Sequence, residues 1–324
     1  MNYLAYAFYA FAIAVILTPL VRSFAHRVKA IDVPRPPRNL HTHVVAKLGG
    51  VAIFLAVALT VLLFVRDGGV DPTIIPFRFV WATLLGGLFL MIGGFLDDKY
   101  DLSPQLLWIF PAGAAAVVIW SGIGIGIKEI SNPFGNPIGL GFDVLGIPAS
   151  VIFIFVWLVG MMFTTKFLDG LDGLVAGIGL IAGLTLFGLS LTDNVQQPIT
   201  ASFAIILVGA LAGYLVYAFH PASIFLGEGG STLIGFLLGV LAVISGGKIA
   251  TALLVMGIPI LDVAWVIMQR LWNRQSPFKG DRLHIHFKLI DLGFSQKQTA
   301  LLLYALSAGF GFTAVFLQSM GKLV

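Results

Sequence analysis

The feature that most constrains the fold is a series of long apolar stretches that recurs along the whole chain. A helix needs about 17 to 25 mostly apolar residues to cross a bilayer, where the backbone must satisfy its own hydrogen bonds. The stretches lie at residues 3–21, 48–65, 79–96, 105–121, 149–164, 174–191, 199–217, 232–245, 249–267 and 298–317. Only 10% of the residues are charged and 58% are hydrophobic. The sequence therefore predicts an all-α polytopic membrane protein with about ten transmembrane helices.

The stretches follow one another without a long linker, so we expect a single membrane domain over residues 1–324. The first stretch has no basic leader and no small-residue cleavage site before Arg22, which favours a membrane span over a removed signal peptide. The segment 122–147 is rich in Gly, Pro and Asn and predicts an external loop, with a small hairpin as one form of it. The chain has no cysteine, which excludes disulfides and thiolate chemistry.

Lysine and arginine are distributed unequally between the two sides that ten spans define. The loops 22–47 and 268–297 contain six each, and Lys99 and Lys166 bring that side to fourteen, against five on the other. Loops rich in Lys and Arg stay in the cytoplasm. The sequence thus predicts both termini outside and the catalytic loops on the cytoplasmic face.

Acidic residues gather on the same predicted side, which the charge rule does not require. Ten of the fifteen lie in these loops or at the adjoining helix ends: Asp32, Asp97, Asp98, Asp101, Asp169, Asp172, Glu228, Asp262, Asp281 and Asp291. A carboxylate facing lipid costs about 2.5–3.5 kcal/mol at a helix centre on insertion scales, so acids beside apolar runs suggest function. The distribution favours a cation-binding site with anion-binding walls.

Asp97, Asp98 and Asp101 follow the end of the third apolar stretch. Carboxylates at this density suit Mg²⁺, a hard ion that commonly takes one or two carboxylates together with substrate phosphates. They also suit a base for phosphate chemistry. The alternative interpretation is a solvated helix end.

Asp169-Gly-Leu-Asp172-Gly separates two apolar stretches. If this segment is helical, its carboxylates share one face, since positions i and i+3 are neighbours. The alternative is a turn at a helix terminus with capping aspartates.

Gly227-Glu228-Gly229-Gly230-Ser231 precedes another apolar stretch. Glycines before a helix N-terminus can form a phosphate cradle, with Glu228 as a candidate metal ligand. The alternative is that the glycines allow tight helix packing.

The two long basic loops contain further candidates. His284 and His286 lie beside Arg282 and favour hydrogen bonding to a pyrophosphate over zinc, since no third nitrogen ligand or cysteine is near. Arg38 and His41 precede Gly49-Gly50 and are candidates for binding a nucleotide diphosphate or a lipid phosphate. Surface histidines and contacts with anionic lipid headgroups are the alternatives.

Together and in this order, these segments resemble the polyprenyl-phosphate N-acetylhexosamine-1-phosphate transferases, a family of glycosyltransferase 4 type. The resemblance covers roughly residues 30–295. The family contains the phospho-N-acetylmuramoyl-pentapeptide transferase of peptidoglycan synthesis. It also contains the N-acetylglucosamine-1-phosphate transferases that start O-antigen, enterobacterial common antigen and teichoic acid linkage.

The resemblance implies an enzyme that transfers N-acetylhexosamine 1-phosphate, foremost GlcNAc-1-phosphate, from a UDP-sugar to undecaprenyl or another polyprenyl phosphate. UMP leaves, and a lipid-linked diphosphate sugar remains for cell-wall or lipopolysaccharide synthesis. The implied setting is the bacterial cytoplasmic (inner) membrane with its lipid, and the implied cofactor is Mg²⁺, with Mn²⁺ as a substitute. A homodimer is expected from the family alone, and no nucleic acid partner is expected.

The resemblance also implies roles for the aspartates. Asp97 and Asp98 match the aspartate pair of the family, with Asp97 as the base or activator of the lipid phosphate. Asp169 and Asp172 match the signature that helps to place metal or nucleotide. Which aspartate is base and which is metal ligand stays open. The expected catalytic residues are Asp97, Asp98, Asp169, Asp172 and His284, and the expected metal ligands are Glu228, Asp98 and Asp172.

Other matching positions imply binding of the substrates. Phe225 matches an aromatic that stacks on uracil, and His284 and His286 match a His-rich loop that holds the diphosphate or sugar. The stretch 259–262 also matches. The expected substrate-binding residues are Arg38, His41, Lys166, Phe225, Ser231, Arg282 and His286.

The chain departs from the family pattern at five positions. Asn39 stands for a lysine, Lys166 and Ala218 for asparagines, Glu228 for an aspartate and Phe287 for a histidine. One hypothesis is that Lys166 supplies the positive charge missing at Asn39.

The His-x-His loop is closer to the N-acetylglucosamine branch, and the muramoyl-pentapeptide branch is the alternative. Two further alternatives are a homologue that binds nucleotide or lipid without turnover, and a cation-coupled transporter. A transporter predicts acids spread along a path through the membrane midplane.

Overall fold

The computed structural model describes residues 2–34, 43–130, 138–193, 195–245, 249–276 and 282–319, and that part of the chain is almost entirely helical. The first seven helices are α1 (Tyr3–Val28), α2 (Gly49–Arg66), α3 (Phe77–Tyr100), α4 (Pro104–Leu107), α5 (Ile109–Trp120), α6 (Ala149–Leu168) and α7 (Leu174–Ser190). The remaining six are α8 (Pro198–Ala218), α9 (Gly227–Ile244), α10 (Ile249–Val255), α11 (Gly257–Trp272), α12 (Ile285–Asp291) and α13 (Gln296–Ser319).

Three two-stranded antiparallel ribbons lie between the helices. They pair β1 (Ile31–Asp32) with β2 (Val45–Ala46), β3 (Glu129–Ile130) with β4 (Ile138–Gly139), and β5 (Asp143–Val144) with β6 (Ile147–Pro148). The last two ribbons confirm the hairpin expected within 122–147.

Each of the ten predicted apolar stretches coincides with helix. Seven helices in the described part of the chain are long and apolar enough to cross a membrane: α1, α2, α3, α6, α8, α9 and α13. The stretch 105–121 forms the pair α4 and α5. This pair and α7 are apolar but shorter than the seven candidate spans. The stretch 249–267 is divided near Met256 into α10 and α11. The all-α polytopic class is thus confirmed, while a count of ten spans stays a prediction.

Helix α9 lies at the centre of the bundle. It packs against α2, α3, α6 and α7, and every residue from Gly229 to Val243 is buried. The indole Nε1 of Trp157 on α6 donates to the Gly239 carbonyl on α9 at 3.1 Å. Helix α1 packs along α8 and α2, and α13 packs against α7 and α10. Because α9 is enclosed, the position of its N-terminus is fixed by its neighbours.

Glycines permit close contact at the N-terminal end of α9. A Cβ on Gly50 of α2 would collide with the Gly230 backbone, and a Cβ on Gly94 of α3 would collide with the Gly229 backbone. Small residues let helix backbones approach in this way. The packing interpretation of the glycine-rich segment is therefore confirmed for Gly229 and Gly230.

Candidate active site

The predicted acidic segments meet at one end of the bundle. The C-terminal ends of α3 and α6 lie beside the N-terminal end of α9, as shown by contacts of Glu228 with Asp98 and with Lys166. The β2–α2 segment joins them, because Gly49 N donates to the Phe225 carbonyl at 2.9 Å. Segments more than 40 residues apart in the sequence are thus in direct contact, so the fold assembles the site.

The Asp98 carboxylate is held by α9 and by Lys47. Its Oδ2 accepts a hydrogen bond from Glu228 N at 3.2 Å, which satisfies a backbone donor in the first turn of α9. Its Oδ1 lies 3.5 Å from Lys47 Nζ, and its side chain is only 3% exposed. Negative charge is favourable at a helix N-terminus. Asp98 therefore joins α3 to α9 in addition to the catalytic role expected for it.

Asp97 is more accessible than Asp98. It is half-buried near the end of α3, and its Oδ1 accepts a hydrogen bond from Leu102 N at 3.1 Å. This contact holds the chain where it leaves the helix. Asp97 thus has a fixed side chain with surface left for a ligand, which suits its expected role as base.

Lys166 and Glu228 form an ion pair. Nζ of Lys166, in the last turn of α6, lies 2.7 Å from Oε1 of Glu228, in the first turn of α9. The helix begins at Gly227, with Leu226 as its N-cap, so the glycine-rich segment is the first turn of α9 and not a separate loop before it. The two positions at which the chain departs from the family pattern on these helices are therefore in direct contact.

The segment from Asp169 to Gly173 is a turn between α6 and α7. The prediction that both carboxylates share one helix face is wrong, because α6 ends at Leu168 and α7 begins only at Leu174. Gly173 has a left-handed backbone with φ of 71°, which helical residues do not adopt. The alternative, a turn at a helix terminus, is confirmed, but its capping aspartates are not, because Gly173 is the N-cap of α7 and no side chain caps that end.

The Asp169 carboxyl group lies in the field of other carboxylates. Withdrawal of water by surrounding protein atoms, followed by the charges of Glu228, Asp98 and Asp172, raises the pKa of Asp169 to about 8. Residue 169 as a whole nevertheless keeps an exposed surface, which solvent and ions can reach. A ligand cation at this surface would relieve the repulsion.

Asp172 binds a histidine that the sequence analysis missed. Its Oδ2 lies 2.7 Å from His220 Nδ1 and accepts a hydrogen bond from Ala222 N at 3.0 Å. The only sequence signal was that His220 lies directly before the Pro221-Ala222 pair at a predicted helix end. This contact fixes the turn against the end of α8.

We refer to Asp97, Asp98, Asp169, Asp172 and Glu228 as the carboxylate cluster. Within the ranges that the structure describes, no three His, Asp or Glu side chains are grouped tightly enough to hold a metal ion by themselves. The donors are hard oxygens and outnumber the two ammonium groups beside them. This set fits Mg²⁺ held by one or two carboxylates together with phosphate oxygens, and it does not fit a closed all-protein cage.

A second group lies beside the cluster and consists of His284 and His286 with Asp262. His284 Nδ1 lies 2.8 Å from Asp262 Oδ2, and Ile285 N donates to Asp262 Oδ1 at 2.9 Å. Because a carboxylate only accepts, Nδ1 of His284 is the protonated nitrogen. The ring also stacks on Phe167, with centroids 6.1 Å apart. Asp262 thus fixes both the tautomer and the orientation of His284.

His286 completes this group, which we call the histidine cluster. Its ring stacks parallel to His284 at 5.7 Å and lies against Gly170 of the turn between α6 and α7. It is fully buried, and neither ring nitrogen has a hydrogen-bond partner. Burial, and then the electrostatic effect of the neighbouring His284, lowers the pKa of His286 to about 3. His286 is therefore a neutral ring packed beneath the Asp169 turn.

The other predicted binding residues lie in different surroundings. Arg282 pairs with Asp291 at 2.6 Å and lies over the Phe287 ring, while Phe225 is half-buried between β2 and α9. Ser231 is buried, and its hydroxyl donates within α9 to the carbonyls of Gly227 and Glu228. Arg38 and His41 lie outside the described residues, as does Asn39.

A pocket of about 100 Å³ opens beside the Lys166–Glu228 pair. Its walls are apolar and come from α4, α5 and the last turns of α6. They include Leu102, Pro104, Leu107, Trp108, Pro111, Phe163 and Phe167. One ion pair in an apolar wall suits a ligand that combines a charged group with a hydrocarbon portion.

The fold and the site define a class: a polytopic membrane protein whose carboxylate-rich site, with ammonium and imidazole groups beside it, suits phosphorylated ligands and a divalent cation. The chain belongs to glycosyl transferase family 4, whose model matches residues 80–246.

Named relatives match over most of their length. The chain is 29% identical, over 311 residues, to the probable undecaprenyl-phosphate N-acetylglucosaminyl 1-phosphate transferase of Bacillus subtilis, a match covering 94% of this chain and 82% of the relative. It is 31% identical to the decaprenyl-phosphate N-acetylglucosaminephosphotransferase of Mycolicibacterium smegmatis, covering 89% and 75%. It is 27% identical to the undecaprenyl-phosphate alpha-N-acetylglucosaminyl 1-phosphate transferase of Escherichia coli, covering 87% and 75%.

Proposed function

We propose that this protein transfers N-acetylglucosamine 1-phosphate from UDP-N-acetylglucosamine to a polyprenyl phosphate and releases UMP. The names of the relatives in three bacteria support this choice of donor and acceptor. The product is a lipid-linked diphosphate sugar for the synthesis of a surface polymer.

One observation carries the proposal: the carboxylate cluster, two lysines and the histidine cluster converge at the ends of membrane-spanning helices. A phosphorylated lipid keeps its chain in the bilayer and its phosphate at the boundary. A nucleotide sugar comes from water. A site at helix ends, beside an apolar pocket lined by Trp108 and Phe163, lets the two substrates meet.

The reaction needs mainly positioning and charge neutralisation. An oxygen of the lipid phosphate attacks the phosphorus attached to the sugar, a new P–O bond forms, and the bond to the UMP phosphate breaks. Asp97 is half-exposed and acts as base or activator of the lipid phosphate. Lys47 lies beside Asp98 and can bind a phosphate oxygen. His284, held by Asp262, presents Nε2 to the diphosphate or the sugar.

Mg²⁺ is the proposed cofactor, with Mn²⁺ as a substitute. When bound, it supplies charge neutralisation to the phosphates. The expected ligands Asp98 and Asp172 are proposed to hold it, with Asp169 in place of the expected Glu228, which is paired with Lys166. Loss of the ion is expected to abolish transfer.

The finer topology also belongs to this proposal. All ten apolar stretches cross the membrane, with both termini outside and the site facing the cytoplasm of a bacterial inner membrane, as the distribution of Lys and Arg predicts. A homodimer is proposed on the family resemblance alone.

The muramoyl-pentapeptide transferase is the second candidate, and the names of the relatives do not favour it. A cation-coupled transporter is disfavoured because the acids lie at one end of the helices and not along a path through them.

Release of UMP tests the proposal. Purified protein is incubated with undecaprenyl phosphate, Mg²⁺ and either UDP-N-acetylglucosamine or UDP-N-acetylmuramoyl-pentapeptide. We expect UMP from the first donor only, and none from Asp97→Asn, whereas Asp71→Asn, an exposed loop carboxylate, keeps full activity. UMP from the pentapeptide donor instead would assign the chain to the other branch, and no UMP from either would refute the transferase.

A further inference from the structure

We propose that the Lys166 ammonium neutralises the Glu228 carboxylate. The carboxylate cluster then binds a divalent cation through its aspartates, and Glu228 is not a ligand of that cation. The inference rests on the proposed function only in taking a divalent cation as a ligand. It concerns the contact between Lys166 and Glu228, two residues at helix ends that both differ from the family pattern.

The first support is the geometry of the pair. The Lys166 ammonium lies 2.7 Å from Glu228 Oε1, and the two side chains are only 23% and 14% exposed. A charge-assisted contact of this length with little solvent is among the stronger polar contacts in proteins. Breaking one partner of such a pair costs more than breaking a surface ion pair, because a buried charge is left uncompensated.

The second support is that helix packing fixes both partners. Gly235 of α9 lies against the Met161 carbonyl and the Thr165 hydroxyl of α6, and Trp157 of α6 donates to Gly239. The ends of α6 and α9 therefore keep their spacing. The pair does not depend on a loop that a ligand could easily displace.

The third support is a second contact of the ammonium. Lys166 Nζ lies 5.6 Å from the centroid of the Phe163 ring, one turn earlier on the same helix. A cation over an aromatic face is attracted to it, more strongly where water is excluded. The pocket beside it supplies the apolar wall, through Leu107 and Trp108. Phe163 and Glu228 together hold the charge in one place.

The remaining charges show why the cluster still attracts a metal ion. Five carboxylates lie in the cluster, and the ammonium groups paired with it in the described part of the chain are Lys47 and Lys166. With Glu228 paired to Lys166, an excess of negative charge stays on the aspartates. Asp169, which keeps an exposed surface, is the most accessible of these.

The added methylene of glutamate fits this arrangement. A shorter aspartate at position 228 would withdraw the carboxylate from an ammonium fixed over Phe163. Lysine at 166 and glutamate at 228 therefore belong together, and each is expected to be unfavourable without the other.

Binding of Mn²⁺ to the full-length protein, without substrate, tests the inference by the loss of the free-ion paramagnetic resonance signal. The variants are Glu228→Gln, Lys166→Met and the double variant, with Asp71→Asn as the matched control for adventitious binding. We expect Glu228→Gln to bind about tenfold more weakly, because it leaves the Lys166 charge uncompensated a few ångströms from the aspartates. Lys166→Met should bind about tenfold tighter, since it frees Glu228 and removes a positive charge a few ångströms away. The double variant should return to within about threefold of wild type.

No Mn²⁺ binding by wild type, no tightening in Lys166→Met, or a Kd more than threefold weaker in the double variant would overturn the inference. If Lys166→Met does not fold, the double variant decides it by the same threshold, because only there are both charges removed. Mn²⁺ binding by the expected pattern without UMP release would refute only the proposed function. UMP release together with a Kd more than threefold weaker in the double variant would refute only this inference.

Discussion

The carboxylate cluster and the histidine cluster lie side by side but are held in different ways. The carboxylates stand at the ends of long helices and are compensated by Lys47, Lys166 and backbone N–H groups. The histidines are stacked rings, of which His284 is oriented by a single carboxylate, Asp262, and His286 by packing against it. Charge is thus fixed by the packing of the bundle, whereas the histidine cluster depends on one hydrogen-bond acceptor. The two groups should therefore respond differently to substitution.

The largest effect is expected at Asp169 of the carboxylate cluster. Asp169→Asn should lower UMP release about 10²- to 10³-fold, because the metal ion that neutralises the phosphates would lose one of the carboxylates proposed to hold it. The same change should raise the unfolding temperature without metal, because it removes the cost of withdrawing this carboxyl group from water and then the repulsion from Glu228, Asp98 and Asp172.

The sign of the pH dependence can be stated for this variant. The folded pKa of Asp169, about 8, lies above its usual 3.8, so its ionisation opposes folding as pH rises from 4 to 8. The gain in unfolding temperature should therefore be larger at pH 9 than at pH 6. Equal gains at both pH values, or a loss of stability, would show that Asp169 is a structural partner. Asp71→Asn serves as the control.

The next effect concerns the histidine cluster. Asp262→Asn should lower activity about 10- to 100-fold, in the range seen when a partner that orients an imidazole is lost. Both Asp262 oxygens accept hydrogen bonds, from His284 Nδ1 and Ile285 N, and an asparagine can accept only one of them.

If Asp262 acts by positioning His284, Asp262→Asn should also change how activity depends on pH. The tautomer of His284 is then no longer fixed, and Asp262→Glu should recover part of the rate. Asp291→Asn, which removes an exposed partner of Arg282, should change the rate little. Equal losses in the two asparagine variants would exclude a special role for Asp262.

The two groups also differ in how far the sequence could predict them. The acidic segments border apolar stretches, and this position correctly predicted that Asp97 and Glu228 lie at helix ends. The glycine in Asp169-Gly-Leu-Asp172-Gly left helix and turn both open, because spacing alone does not reveal the left-handed Gly173. The partners of these carboxylates could not be predicted, since Lys47 and Lys166 meet them only through the packing of α2, α6 and α9.

The histidine cluster shows a different limit. Side chains two residues apart, such as those of His284 and His286, share a face in a strand but not in a helix. In the structure His284 is the N-cap of α12 and His286 lies within it, yet the rings are parallel because the first ring stands before the helix starts. His220 was missed altogether, since a single histidine before a proline carries no pattern. Contacts made between distant segments leave no trace in local periodicity.

A smaller effect tests whether helix packing holds the carboxylates. Gly94→Ala should lower the free energy of unfolding by about 1–3 kcal/mol, because its Cβ would meet the Gly229 backbone and push α3 away from α9. Gly160→Ala is the matched control: it lies on an exposed face of α6 with no atom within 4 Å of the new Cβ. It should be neutral or stabilising, by up to about 1 kcal/mol. If both variants unfold alike, tight packing does not position the cluster.

The smallest effect concerns the neutral state of the histidine cluster. The folded pKa of His286, about 3, lies below its usual 6.5, so the unfolded chain binds the extra proton between these values. The contribution of His286 to the free energy of unfolding is therefore fully present above pH 6.5. It is lost as pH falls toward 3, by at most about 1.4 kcal/mol per pH unit. Thermal unfolding of wild type and His286→Phe at pH 7.5 and 5 measures the difference, in which other titrating groups largely cancel.

His286→Phe should remove this part of the pH dependence, because phenylalanine keeps a stacked ring and cannot be protonated. At pH 7.5 the variant should be close to wild type or more stable, since neither ring nitrogen of His286 has a hydrogen-bond partner to lose. An unchanged pH dependence would mean that His286 is charged or solvated in the folded protein. In that case the contrast between a charged cluster and a neutral one would fail, and the histidines would belong to the same electrostatic network as the carboxylates.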